Sequence, residues 1–141
     1  MFHEKSKKFG IHIHCPAGAT PKDGPSAGTA ITLAILSLLT DFKIKNEYGI
    51  TGEIDLNGNV TEIGGLEAKV DGAKASGIKI VLCPALNKDD LYKIRNRKLP
   101  PEDDNFKIIE INDIYDAIEH MMIFPPNLNS NYFTRLYDAN I

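Results

Sequence analysis

The chain has 141 residues, of which 43% are hydrophobic, and a formal net charge of −3 with a pI near 5.8. This length fits one domain with a hydrophobic core, and the dispersed Lys and Arg residues, apart from KSKK at 5–8, exclude the basic surface of a nucleic-acid-binding protein. No stretch has the apolar length of a membrane span, and the first residues lack the apolar region of a signal peptide. Cys15 and Cys83 lie in apolar runs, which favours reduced, buried thiols and an intracellular protein over a disulfide framework.

The first predicted element is FGIHIHC (9–15), whose strict alternation indicates a half-buried strand with His12 and His14 on its polar face. These two histidines could in principle bind a metal, but no third ligand stands at a fixed spacing from them, so solvated histidines are the simpler interpretation. A helix follows at SAGTAITLAILSLLT (26–40), which is apolar on nearly all sides and is therefore expected to be central and buried.

A β-hairpin is predicted where EYGITGEIDL (47–56) and VTEI (60–63) flank Asn57-Gly58, because both turn positions tolerate positive φ. The remaining predicted elements are, in chain order, a helix at 66–76 ended by Gly77, a strand at 78–84, a helix at 87–97, a strand at 106–111 and a helix at 113–123.

Strands that alternate with helices, interrupted by one hairpin, predict an α/β (α+β) fold in which helices cover a mixed sheet. We expect residues 1–124 to form this domain. The segment 125–141 lacks clear periodicity and is expected to be a tail that wraps on the domain or frays.

Ser26 follows the turn-rich stretch ATPKDGP (19–25), and the helix begins close to it. If Asp23 caps this helix, Ser26 lies in the first turn, where free backbone amides and the helix dipole stabilise negative charge. Such a position suits a nucleophile beside an oxyanion hole. The same residues also make an ordinary capping sequence, so a nucleophilic role depends on finding a base.

Two lysines of the helix at 66–76, Lys69 and Lys74, flank its apolar stripe, so periodicity alone does not choose between them. Lys74 has Asp71 three residues earlier, whereas no carboxylate lies three or four residues from Lys69. We therefore expect desolvation to disfavour the ammonium form of Lys69, which suits it to take a proton from a serine. A snorkelling surface lysine is the alternative.

Two further features surround this helix. The paired glycines of EIGG (62–65) predict a close approach of the backbone to another element. Thr51 lies on the polar face of its predicted strand, where it could hydrogen-bond an amine without adding charge, or could be an ordinary strand threonine.

Three segments resemble, in order and spacing, the proteolytic domain of Lon, the family of ATP-dependent Ser-Lys proteases. They are HIHCPAGATPKDGPSAG, TGEIDLNGNVTEIGGLEAK and GIKIVLCPALNKDDL. The resemblance implies that Ser26 is the nucleophile, that Lys69 is its general base and that Thr51 helps to orient the lysine, with His12 and His14 in supporting roles. It also implies the Lon proteolytic-domain fold.

The function implied by this resemblance is that of a serine endopeptidase domain acting on unfolded or damaged proteins. It further implies a hexameric ring, a cytoplasmic or mitochondrial location, no metal or cofactor in this domain, and an AAA+ module of the full-length protein that uses ATP and Mg. Compared with the family, we expect this chain to lack the first portion of the proteolytic domain and the AAA+ module. A latent or non-catalytic assembly domain is therefore the alternative, and Asp23 could contribute to latency by accepting the amides that an oxyanion requires.

Overall fold

The structure is a computed structural model that describes residues 10–14 and 26–133. Within these residues the helices are α1 (Gly28–Thr40), α2 (Leu66–Ala75), α3 (Lys88–Arg95) and α4 (Ile114–Met121). The strands are β1 (Tyr48–Ile50), β2 (Glu53–Ile54), β3 (Val60–Thr61), β4 (Ile80–Pro84) and β5 (Lys107–Ile111). The predicted α/β class, with both parallel and antiparallel strands, is confirmed.

The strand predicted at 47–56 is divided between two sheets. Its first part, β1, pairs parallel with β4, which pairs parallel with β5 on its other side. Its second part, β2, pairs antiparallel with β3. The division falls at Thr51 and Gly52, between β1 and β2. Thr51, a candidate site residue, therefore lies where the chain passes from one sheet to the other.

The predicted hairpin between β2 and β3 is confirmed, but its turn is not the simple two-residue type. Gly58 has a φ of 84°, whereas Asn57 is not among the residues with positive φ. The turn is instead held by Asp55, whose carbonyl accepts the N–H of Gly58 and whose carboxylate accepts the N–H groups of Asn57 and Asn59. These bonds lower the pKa of the exposed Asp55 carboxyl, with the backbone bond to Asn59 as the largest cause.

Helices cover both faces of the parallel sheet, because side chains alternate across β4. Leu82 belongs to a core that includes Leu33 of α1 and Ile118 of α4. Val81 and Cys83 face the other side and pack with residues of α2 and α3. A strand buried on both faces shows a nearly continuous apolar run, as the segment predicted at 78–84 does.

The loop ahead of α2 is tied to the start of α3 by one buried side chain. Asn87 is 3% exposed, and its amide both accepts the N–H of Ile63 and donates to the Ile63 carbonyl. A third bond, from the same amide nitrogen to the Asp90 carboxylate, completes its partners, and the two bonds to Ile63 fix the loop from which α2, and with it Lys69, begins.

Two predicted elements differ from the structure. Residues 10–14 form no strand and are exposed, with Ile11 at 43% and Ile13 at 53%, because within the described residues no neighbouring strand pairs with them. The helix predicted to be buried on all sides has an open face in α1, where Leu38 is 63% exposed. Ala34 is also exposed, so the described residues cover α1 only on its other sides.

The beginning of the predicted tail packs on the domain. Phe133 is buried, and its ring contacts those of Phe42, Phe124 and Tyr132. Phe133, together with the partly buried Leu128 and Tyr132, therefore extends the core that α1 and α4 share. The boundary between 124 and 125 stays a prediction.

Candidate active site

Ser26 is fixed in space by the backbone that joins β1 to β2. It lies in a turn just before α1, rather than in the first turn of the helix as expected, because α1 begins at Gly28. The N–H of Gly52 donates to the Ser26 carbonyl at 3.0 Å, and the N–H of Thr29 donates back to the Gly52 carbonyl at 3.1 Å. These reciprocal bonds lock the start of α1 onto the loop that carries Thr51.

Two glycines permit this close approach. A Cβ at Gly52 would lie 2.7 Å from Cγ1 of Val60, and a Cβ at Gly28 would lie 3.1 Å from Cγ2 of Ile54. The sequence predicted such an approach at the glycines of EIGG, and that prediction is wrong: a Cβ at Gly64 or at Gly65 would meet nothing within 4 Å. Gly65 instead provides the left-handed conformation, with a φ of 71°, from which α2 begins.

Lys69 reaches Ser26 from α2. Its Nζ donates a hydrogen bond of 2.5 Å to the Oγ of Ser26, across 43 residues of chain, and the pair is partly buried. A serine hydroxyl in direct contact with a lysine amine is the arrangement that nucleophilic catalysis by a Ser-Lys pair requires.

The other charged groups of α2 are engaged elsewhere. Arg97 forms ion pairs with Glu67 at 2.9 Å and with Asp71 at 2.8 Å. Lys74 pairs with Asp103 at 2.9 Å, and not with Asp71 as its spacing suggested. This pairing lowers the pKa of Asp103, with the hydrogen bond from Lys74 as the largest cause.

The supporting residues predicted from sequence are only partly brought together. Thr51 lines the same cleft as Ser26 and Lys69, and its N–H donates to the Leu82 carbonyl at 3.1 Å. His12 and His14 do not line that cleft: their rings stack 6.3 Å apart on the exposed segment 10–14, which lies along the open face of α1. Asp23 lies outside the described residues.

Three further findings concern the described part of the chain: its cysteine, its possible metal ligands and its possible membrane-spanning helices. Cys83 is buried, and burial raises the pKa of its thiol to about 12, which makes it a poor nucleophile; Cys15 lies outside that part. Nowhere in residues 10–14 and 26–133 do three or more His, Cys, Asp or Glu side chains group in a way that could hold a metal ion. None of the helices described is long and apolar enough to cross a membrane.

Thr29 is a structural residue of this site that the sequence reasoning missed. It is completely buried, and its Oγ1 adds a second bond to the Gly52 carbonyl, at 3.1 Å. The signal was present in the sequence, because a polar residue on the buried side of an apolar helix is usually hydrogen-bonded.

Thr29→Val is expected to lower the free energy of unfolding by about 1 kcal/mol, because valine keeps the shape and loses one buried hydrogen bond. Thr32→Val is the matched control, since the Thr32 hydroxyl bonds only within α1, to the carbonyl of Gly28. Urea unfolding of both variants measures the difference. An equal loss of unfolding free energy in the two variants would show that the bond from Thr29 to Gly52 does not stabilise the site.

Fold and site together define a class of protein: an α/β domain that sets a serine hydroxyl against a lysine amine, the arrangement typical of Ser-Lys hydrolases. A family model described as Lon protease (S16) C-terminal proteolytic domain matches residues 1–123. The chain therefore belongs to the Lon protease family and corresponds to its C-terminal proteolytic domain.

Individual relatives carry the same name. The chain is 47% identical over 114 residues to Lon protease from Phenylobacterium zucineum, which covers 80% of the chain and 14% of the relative. It is 43% identical over 125 residues to Lon protease from Rickettsia typhi, covering 88% and 15%. With Lon protease 2 from Thermus thermophilus it shares 50% identity over 91 residues, covering 64% and 11%. The chain thus spans only about a seventh of the length of the first two relatives.

Proposed function

We propose that this domain hydrolyses peptide bonds with Ser26 as nucleophile and Lys69 as general base. The observation that carries the proposal is the 2.5 Å hydrogen bond between Lys69 Nζ and Ser26 Oγ. Membership of a family of proteases supports it independently.

The reaction begins when the neutral amine of Lys69 takes the hydroxyl proton of Ser26 as Oγ attacks the peptide carbonyl carbon. The tetrahedral intermediate collapses, the C–N bond breaks, and Lys69 returns the proton to the leaving amine. A water molecule then gives a proton to the same lysine and attacks the acyl carbon. The ester C–O bond breaks, the acid leaves, and Lys69 passes the proton to Ser26 Oγ, which restores the hydroxyl and the neutral amine.

The oxyanion needs backbone amides near Ser26. The amide of Thr29 is already used by the Gly52 carbonyl. We therefore assign the oxyanion to amides nearer the nucleophile, at Ser26 and Ala27, with the positive end of the α1 dipole behind them. This differs from the expectation of a hole built from the first turn of a longer helix.

The four supporting residues differ in how directly they act in this proposal. Thr51 lines the cleft and is assigned to orienting the Lys69 amine. His12 and His14 keep at most an indirect role, because neither lines the cleft and His12 borders the open face of α1. Asp23 is proposed to hold the site latent by accepting the oxyanion amides until assembly or substrate displaces it; full activity in a proven monomer would contradict this.

The context of the whole protein is also a proposal, because the chain spans so little of its relatives. We propose that the substrates are unfolded or damaged proteins, that an AAA+ module fuelled by ATP and Mg delivers them, and that the domain works in a hexamer inside the cell. The relatives named above are bacterial, and none of them supports the mitochondrial alternative.

The test compares the wild type and Ser26→Ala in hydrolysis of unfolded casein and of fluorogenic peptides. Loss of all hydrolysis in the variant supports the proposal, whereas equal rates in the two proteins favour a non-catalytic assembly domain. Sizing both proteins in solution alongside the assay shows whether activity follows assembly.

A further inference from the structure

Asn87 is the N-cap residue of α3, yet its side chain makes no capping hydrogen bond there. Asparagine is favoured at an N-cap because its side-chain oxygen accepts an N–H of the first turn. In this structure the oxygen accepts the N–H of Ile63 instead, 24 residues earlier in the chain. The side chain therefore gives up a local bond of α3 for a bond to the loop ahead of α2.

Three neighbouring groups fix the orientation of the Asn87 amide. The Ile63 N–H donates to its Oδ1 at 3.0 Å, whereas the Ile63 carbonyl and the Asp90 carboxylate both accept from its Nδ2 at 2.8 Å. Only one orientation of the amide satisfies all three groups. Because Asn87 is only 3% exposed, water does not compete for these bonds, and the side chain links the start of α3 firmly to Ile63.

The two residues between Ile63 and α2 contribute little of their own to holding the helix start. They are Gly64 and Gly65, and a Cβ at either would meet nothing within 4 Å. Gly65 is the N-cap of α2 and has no side chain with which to cap it. Its carbonyl accepts the N–H of Lys69 at 3.1 Å, so the position of this loop passes directly to the turn that carries Lys69.

The apolar side of α2 is held by Leu66 and Val70, which are both fully buried. Apolar packing is non-directional. The hydrogen bond between Lys69 Nζ and Ser26 Oγ, in contrast, depends on where α2 begins and how it is turned. The paired bonds of Asn87 supply this direction at the end of the helix nearer to Lys69.

We infer that Asn87 is a positioning residue for the reaction: by its paired bonds to Ile63 it sets the start of α2 and so holds the Lys69 amine against the Ser26 hydroxyl. Asn87 does not line the cleft beside that pair, and it acts only through the loop. The inference rests on the proposed function, because it takes Ser26 and Lys69 as the reacting pair.

The test is Asn87→Ser. Serine can still cap α3, but its short hydroxyl cannot span both the N–H and the carbonyl of Ile63. We expect kcat for a fluorogenic peptide to fall by about 10–100-fold, the cost of displacing a reacting group by about 1 Å, while KM changes by less than about threefold. In the Lys69→Met background, Asn87→Ser should lower the remaining rate by less than about twofold, because it acts through that lysine.

Asn96→Ser is the matched control, because Asn96 lies at the other end of α3 and its Nδ2 donates within that helix, to the Tyr92 carbonyl at 2.7 Å. It should keep kcat within about twofold of the wild type. Thermal unfolding shows whether the variants are folded. If Asn87→Ser does not fold, Asn87→Asp combined with Asp90→Asn replaces it. This pair keeps an acceptor for the Ile63 N–H and removes the donation to the Ile63 carbonyl, so kcat should fall by about 3–10-fold.

Amide hydrogen exchange tests the same link without requiring activity. The Lys69 amide should exchange at least about tenfold faster in Asn87→Ser than in Asn96→Ser, with the amides of α4 as the internal reference. Unchanged exchange, or a loss of kcat that recurs in full in the Lys69→Met background, overturns the inference and leaves the serine peptidase proposal standing. A wild type that hydrolyses no peptide, like Ser26→Ala, overturns the proposed function, and the role of Asn87 in the reaction falls with it whatever the exchange shows.

Discussion

Lys69→Met is expected to reduce kcat/KM for peptide hydrolysis by about 10²–10⁴-fold, the usual contribution of a positioned general base. Methionine keeps an unbranched apolar side chain of similar length and removes the amine that contacts the Ser26 hydroxyl. The expected loss is one of proton transfer, because packing around α2 is retained. Initial rates with a fluorogenic peptide measure it, and thermal unfolding shows whether the variant stays folded.

Lys74→Met is the control within the same helix. The Lys74 amine pairs with the exposed Asp103 and donates to the Pro101 carbonyl, away from Ser26. An exposed ion pair contributes little to stability, about 0–1 kcal/mol, so this variant should keep its rate within about twofold. If Lys74→Met lost activity and Lys69→Met kept it, the assignment of the base would be wrong.

Gly52→Ala is expected to destabilise the fold by about 1–3 kcal/mol and to lower peptide hydrolysis, because overpacking displaces the groups around it. The added Cβ would lie 2.7 Å from Val60, which is 1% exposed and cannot move freely, and 3.2 Å from Cγ2 of Thr29. Since the Gly52 amide holds the Ser26 carbonyl, relief of the clash would shift Ser26 relative to Lys69. A shift of about 1 Å can cost about 10²-fold in rate.

Gly64→Ala provides the matched control, because a Cβ at that position meets nothing within 4 Å. Its stability and rate should stay near the wild-type values. Val60→Ala in the Gly52→Ala background should restore part of both by making room for the new methyl group. Urea unfolding and peptide assays of the four proteins measure the effect, and a neutral Gly52→Ala would show that the loop does not fix the serine.

Among the elements near the site, those with local signals were predicted well. The helix at 66–76 was placed within one residue of α2, since its stripe and the glycine after it are properties of neighbouring residues. The hairpin was found from Asn57-Gly58, although Asp55 determines the form of its turn. Lys69 was separated from Lys74 by local charge, and it is Lys69 that contacts Ser26, although the carboxylate beside Lys74 proved to be Asp103.

The errors arose where distant parts of the chain meet. The strand predicted at 47–56 divides at Gly52, because its two halves pair with different partners that periodicity does not reveal. Segment 10–14 alternates like a strand yet has no strand beside it in the described part of the chain. Thr29 looked like one polar residue in an apolar helix, and its importance appears only when Gly52 is placed against it.

The sequence by itself determined the α/β class and the positions of the central helices and strands. Through its resemblance to Lon, it also indicated which serine and which lysine are the candidate catalytic residues. Only the tertiary structure decided that the two side chains touch, that the glycines at 28 and 52 allow that contact, and that an apolar cleft adjoins it. The reason is that periodicity and capping act over a few neighbouring residues, whereas a contact across 43 residues depends on how whole elements pack.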